Sequence, residues 1–161
     1  MSRQGGERTV RPSVLDRLID EERWETSDVA LSLGESRKRF QDSVLRDLGW
    51  ILNTRRTTVP ATRGHPEVLN SVYQFGIPDV TSLSADSRDA RTFLLAQVAE
   101  AIRVFEPRLV DVELSLVEDS GTGARSVRLR VEATLLMDPD PERIVFDTVL
   151  ETASGSIAVE T

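Results

Sequence analysis

The spacing of apolar residues changes once along this chain, close to residue 105. Before that point apolar side chains return every three or four residues, as on an amphipathic helix; after it they alternate, as on a half-buried strand. Phe93, Leu94, Val98, Ala101, Ile102 and Phe105 carry the first pattern and predict a helix from Ser87 or Arg88 to Phe105. Val112, Leu114 and Leu116 alternate with Glu113 and Ser115 and predict a strand to Val117. Between the two lies Phe105-Glu106-Pro107-Arg108-Leu109. Pro107 has no amide proton and disfavours helical geometry at the residue before it, so the helix is expected to stop there. Glu106 and Arg108 are then expected two apart in an extended segment, pointing to one side of the chain. A carboxylate and a guanidinium on a stiff corner suit a docking point better than they suit chemistry.

The same reasoning covers the rest of the chain. Residues 1 to about 11 are polar and glycine-containing and read as a disordered lead-in. Val14, Leu15, Leu18 and Ile19 follow Pro12-Ser13 as one short amphipathic helix, and Asp20 to Gly34 reads as a linker with Trp24 as an apolar anchor. From Ser36 to Asn53, Phe40, Val44, Leu45, Leu48, Ile51 and Leu52 form one stripe at about 100° per residue. Trp50 falls off that stripe; a second packing contact is favoured there over an exposed anchor for a partner. Pro66 or Glu67 to Gln74 is expected as a short helix, closed by Gly76 and stopped by Ile77-Pro78. In the last third, Val127, Leu129, Val131, Ala133 and Leu135 alternate with polar residues, then Ile144 to Leu150 and Ile157 to Val159 complete a sheet. The fold class is therefore α+β: N-terminal helices over about 12–105 packed on a C-terminal antiparallel sheet over about 109–160, in a single domain spanning 12–161.

Composition narrows the chemistry. A net charge of −7 over 161 residues argues against general nucleic-acid binding, which requires a basic surface. Without cysteine there is neither a disulfide framework nor a thiolate metal site. His65 is the one histidine and sits beside Gly64 and Pro66 in an expected loop. No apolar run is long enough to span a bilayer and no signal-peptide core opens the chain, so a cytoplasmic location is expected, without direct membrane insertion. No calcium-loop spacing, phosphate-cradling glycine loop or nucleophile elbow is present. No cofactor is expected.

Two clusters remain. Glu106, Asp111 and Glu113 could supply the paired carboxylates of a glycoside hydrolase. A catalytic acid, however, needs an apolar setting, whereas Arg108 beside Glu106 favours the ionised form. Arg55, Arg56 and Arg63 could meet phosphate; given the overall acidity, Arg55 and Arg56 are expected to serve the preceding helix end or an acidic protein surface.

Several segments, taken in order, resemble the TssE family of type VI secretion baseplate subunits, relatives of the lysozyme-like wedge proteins of contractile phage tails. They are Pro12 to Leu18, Ser43-Val44-Leu45-Arg46-Asp47-Leu48, Leu52 to Arg56, Ser71-Val72-Tyr73, Phe75 to Asp79, the corner Phe105 to Leu109 with its Glu-Pro-Arg signature, and Phe146-Asp147-Thr148. Gln74 stands where the family pattern has Asn. The resemblance implies the phage baseplate wedge lysozyme-like fold and a non-enzymatic scaffold. It implies partners among the wedge subunits TssF, TssG and TssK and the sheath subunits TssB and TssC, at the cytoplasmic face of the inner membrane. It places docking on Glu106, Pro107 and Arg108, with Arg55 and Arg56 as further partner-binding candidates, and sheath strands on an open sheet edge. A peptidoglycan hydrolase is the alternative reading.

Overall fold

Four antiparallel strands in the order β1-β2-β3-β4 form one sheet: β1 (Leu109–Val117), β2 (Ser126–Leu135), β3 (Glu142–Glu151) and β4 (Ile157–Glu160). The computed structural model describes residues 10–19, 32–59, 64–79, 87–117, 126–138, 140–151 and 157–160. The helices precede the sheet in the chain: α1 (Val14–Leu18), α2 (Leu33–Asn53), α3 (Pro66–Leu69) and α4 (Arg88–Phe105). α4 packs against β1, and α2 against both α4 and β4. The α+β class and the order of helices and strands agree with the sequence reading. The linker expected over Asp20 to Gly34 lies outside the described residues up to Leu31, Trp24 included.

The core is one cluster. Phe40, Val44, Leu48, Ile51 and Leu52 of α2 meet Leu94, Val98, Ala101 and Ile102 of α4 over the inward side chains of the sheet. On β2 these are Leu129, Val131, Ala133 and Leu135, all buried, so the alternation seen in the sequence is the alternation of faces. The other face is polar: Arg130 of β2 pairs across to Asp147 of β3 (Nε–Oδ1 2.9 Å), and Arg143 pairs with Glu132. Asp147 therefore faces a neighbouring strand inside the sheet.

Three details depart from the apolar spacing, each for a local reason. α2 starts at Leu33 because Ser32 and Glu35 close a capping box: Glu35 N–H donates to Ser32 Oγ (3.3 Å) and Ser32 N–H to Glu35 Oε2 (2.9 Å). The helix expected from Pro66 to Gln74 is two pieces, α3 and a 3₁₀ turn over Val72–Gln74, separated where Ser71 Oγ accepts from the Tyr73 amide (3.2 Å) and its hydroxyl donates to Val68 O (2.9 Å). β1 begins at Leu109, three residues before the alternation is visible, because one extra residue bulges at Asp111 (φ 51°). The bulge shifts the pleat by one, so both Leu109 and Val112 turn toward the core.

The expected lead-in also ends early. Val10 is buried, and its amide donates to Ser36 Oγ at 2.7 Å; residues 1–9 lie outside the described residues. Gly76 has φ +96°, and a Cβ there would lie 2.2 Å from the Thr54 carbonyl oxygen. Only glycine permits that approach, which carries Ile77 N–H to Thr54 O (3.0 Å) and Arg56 N–H to Ile77 O (2.8 Å).

Candidate partner-docking site

The corner between α4 and β1 is a turn, and this alters the picture of Glu106 and Arg108. Helix α4 ends as expected, with Glu106 at its C-cap and the Glu106 amide still donating to Ile102 O (2.8 Å). Pro107 and Arg108 then turn the chain, and Leu109 N–H closes back on Glu106 O (3.1 Å). The segment is not extended, and the two side chains do not share an outward face. Glu106 is 1% exposed.

What holds Glu106 inside is Arg108. The guanidinium forks onto the carboxylate, Nε to Oε1 at 2.5 Å and Nη2 to Oε2, and the Arg108 amide adds a bond to Oε1 (3.3 Å). Its remaining edge lies on α2. Nη2 also meets Asp47 Oδ2 (2.5 Å), Nη1 approaches Ser43 Oγ (3.4 Å), and the guanidinium carbon is 5.6 Å from the centre of the Phe40 ring. Phe40, Ser43 and Asp47 are spaced three and four apart, so one face of α2 supplies all three contacts. The corner is also tied to the sheet, because Leu136 N–H donates to Arg108 O (2.8 Å). Hydrogen bonding to Glu106 raises the pKa of the guanidinium; burial opposes this, and Asp47 adds to the rise.

The ion pairs continue outward along α2. Arg46 shares Asp47 (Nη2–Oδ1 2.8 Å) and reaches Asp16 on α1 (Nη2–Oδ1 2.7 Å). Burial alone would raise the Asp16 carboxyl, but hydrogen bonds from Ser13 and Arg46 outweigh it and leave it below the usual carboxylate range. Charges thus alternate from Glu106 through Arg108, Asp47 and Arg46 to Asp16. The sequence reading singled out the whole Glu-Pro-Arg triplet; Asp47, Arg46 and Asp16 appeared there only within family-like segments and were given no part in the site. Asp47 was detectable: on the predicted wheel it lies one turn beyond Ser43, on the Phe40 side. Nothing in the sequence linked that face to residue 108.

The other candidates are placed as follows. Pro107 is exposed beside an open groove between α4 and β1, walled by Ala96, Ala99, Arg103, Val110 and Val112. Arg55 lies at the end of α2, its Nη1 3.4 Å from Leu52 O, and Arg56 reaches α4 through Gln97 Oε1 (2.7 Å). Both are half-buried and serve the helix end and its neighbour, one of the two roles expected of them. Arg63 lies outside the described residues. Trp50 is 48% exposed and has Arg46 4.9 Å from its ring centre, so in place of the second packing contact favoured from the sequence it makes a cation–π contact at the surface.

The arrangement gives little to hydrolysis. Both oxygens of Glu106 are engaged by Arg108, while Asp111 and Glu113 are exposed on β1. Among the described residues no group of three His, Asp or Glu side chains could hold a metal, and no helix is long and apolar enough to cross a membrane.

Comparison with known proteins agrees with a structural role. The search of curated proteins finds no match. Among solved structures, a chain of "The baseplate complex from the type VI secretion system" shares the fold: TM-score 0.51 at 17% identity, covering 72% of this chain and 97% of that one. The family described as "Baseplate wedge protein gp25" matches residues 38–140, a span that holds most of α2, the Glu-Pro-Arg corner and the first two strands of the sheet. This chain belongs to the gp25 family of baseplate wedge proteins.

Proposed function

We propose that the chain is the TssE subunit of a type VI secretion baseplate, a non-enzymatic wedge component in the cytoplasm at the inner membrane. In this role it binds TssF, TssG and TssK and connects them to the first ring of the TssB–TssC sheath. The observation that carries this reading is the family match, which spans the corner. The solved chain of like fold comes from a type VI secretion baseplate, which supports the choice of assembly.

The geometry supports a physical division of labour in this role. Glu106 is buried, so it acts through Arg108, fixing the turn that presents Pro107 and the rim of the α4–β1 groove to the wedge subunits. Arg55 and Arg56 contribute basic groups toward an acidic partner surface. The sheath subunits add strands at a sheet edge, β1 or β4. Strand addition works through backbone hydrogen bonds, each worth about 0.5–1.5 kcal/mol net. A short edge therefore binds weakly alone, and repetition around a ring supplies the rest through avidity.

The test uses cells that contain the complete secretion system. A tagged full-length chain is expected to recover wedge and sheath subunits together, and deleting its gene is expected to abolish sheath assembly. Ala96→Trp, which fills the groove from an exposed helical position, should weaken wedge recovery without unfolding the domain. Sheaths that still assemble in the deletion strain would overturn the proposal.

A further inference from the structure

Helix α1 is inverted. On an amphipathic surface helix the apolar side faces the protein, and here the polar side does. Asp16 points inward, bonded to Arg46 of α2 and to the Ser13 hydroxyl, in a capping box that also fixes the first turn. At about 100° per residue, Val14, Leu15, Leu18 and Ile19 fall on the other side as one ridge. They are 72%, 44%, 77% and 39% exposed. A ridge held outward by an ion pair marks an interaction surface, because nothing within the described fold recovers the free energy of covering it.

Two features specify the occupant. Arg11 and Arg17 flank the ridge, both exposed, and neither pairs with a carboxylate among the described residues. The chain as a whole carries a charge of −7, so among the described residues this basic rim runs against its average. The one carboxylate on α1, Asp16, is turned away and neutralised by Arg46. A helix of five residues is also too short to rest stably on a bilayer by its apolar face. We propose that α1 is a docking helix, whose Val14–Leu18 ridge enters an apolar groove rimmed by carboxylates on a different protein. This inference goes beyond the assignment to a secretion baseplate and does not depend on which assembly supplies the groove.

The experiment places a photo-crosslinking phenylalanine derivative at Leu18 of the full-length chain in its native cells, with Arg143 on the outer sheet face as control. Crosslinked peptides are identified by mass spectrometry. The expected product joins position 18 to apolar residues of another protein that are flanked in its structure by Asp or Glu. With Arg17→Glu in the same chain, its yield should fall at least about fivefold, since like charges then meet at the rim. Products confined to this chain's own residues 20–31, to a second copy of the chain or to lipid would overturn the proposal. So would no product, equal capture from Arg143, or a partner surface without carboxylates. Val14→Ser/Leu18→Ser provides a second reading on the identified partner. Both side chains project into solvent, so thermal unfolding should be unchanged while affinity falls at least about tenfold; unchanged affinity would also overturn the proposal. A partner outside any baseplate would refute the TssE assignment and leave the docking helix standing.

Discussion

Two arginine–glutamate pairs lie within one turn of each other in sequence, and they do different work. Arg103 and Glu100 pair on the surface of α4 at 2.7 Å, with side chains 69% and 55% exposed. Arg108 and Glu106 pair under the corner, with Arg108 21% and Glu106 2% exposed at the side chain, and Arg108 extends to Asp47 on a second helix. The chemistry of the pairs is the same, and both are bidentate. Their environments differ: water and salt can replace the partners of the first pair, while nothing in the core can replace those of the second. The contrast shows that a charged corner motif can hold a shape from underneath, with its own carboxylate out of reach of solvent; in the proposed role, that shape is what a partner meets.

The largest test of this contrast is Arg108→Ala. It strands a buried carboxylate and cuts the link to α2, so a loss of about 3–5 kcal/mol is expected. In a domain of this size that is a drop in Tm on the order of 10 °C, readable by calorimetry. A fully stable Arg108→Ala protein would show that the corner owes its shape to packing alone. Glu106→Gln comes next, because the amide keeps the size but removes the charge and one acceptor; about 2 kcal/mol is expected. Arg108→Lys keeps the charge and loses the fork, and should cost roughly 1–2 kcal/mol in denaturant unfolding.

A smaller effect is expected from pH at the far end of the relay. The Asp16 carboxyl is depressed in the folded chain, so its contribution is complete above the unfolded-state value and is lost as pH falls through the lower folded value. Below the usual carboxylate range α1 should release from Arg46, seen as faster amide exchange at Arg17 and Ile19, whose amides bond to Ser13 and Leu15. Asp16→Asn should show that faster exchange already at neutral pH. The smallest effect is assigned to Arg103→Ala, which should leave Tm unchanged at moderate salt. A clear loss there would erase the distinction between the two pairs.

Residues 87 to 105 and 127 to 135 were legible in the sequence because one face of each is buried and the spacing records it. Local hydrogen bonding was legible less often. The Ser32–Glu35 box lies upstream of the apolar stripe of α2, and the extra residue at Asp111 breaks the alternation on which the reading depends. The corner was recognised by its residues and misjudged in its direction. Pro107 predicts where α4 ends, but only the arrival of Asp47, 61 positions from Arg108, decides that the pair folds inward. Such a contact leaves no trace in local periodicity. The inverted α1 shows the same limit: an apolar stripe says that a face exists, and Asp16 meeting Arg46 across 30 positions decides which way it looks.

The extra residue at Asp111 has one more effect, on how far a foreign chain can zip along the outer margin of β1. Beyond it, Glu113 to Val117 pair regularly with β2 and keep an even pleat. At about 3.4 Å per residue that uninterrupted stretch is about 17 Å long. An added strand that grows past Glu113 toward Leu109 meets a kink and a change of spacing between its anchor points. The margin therefore has a built-in stop, which limits the length over which any visiting strand can pair.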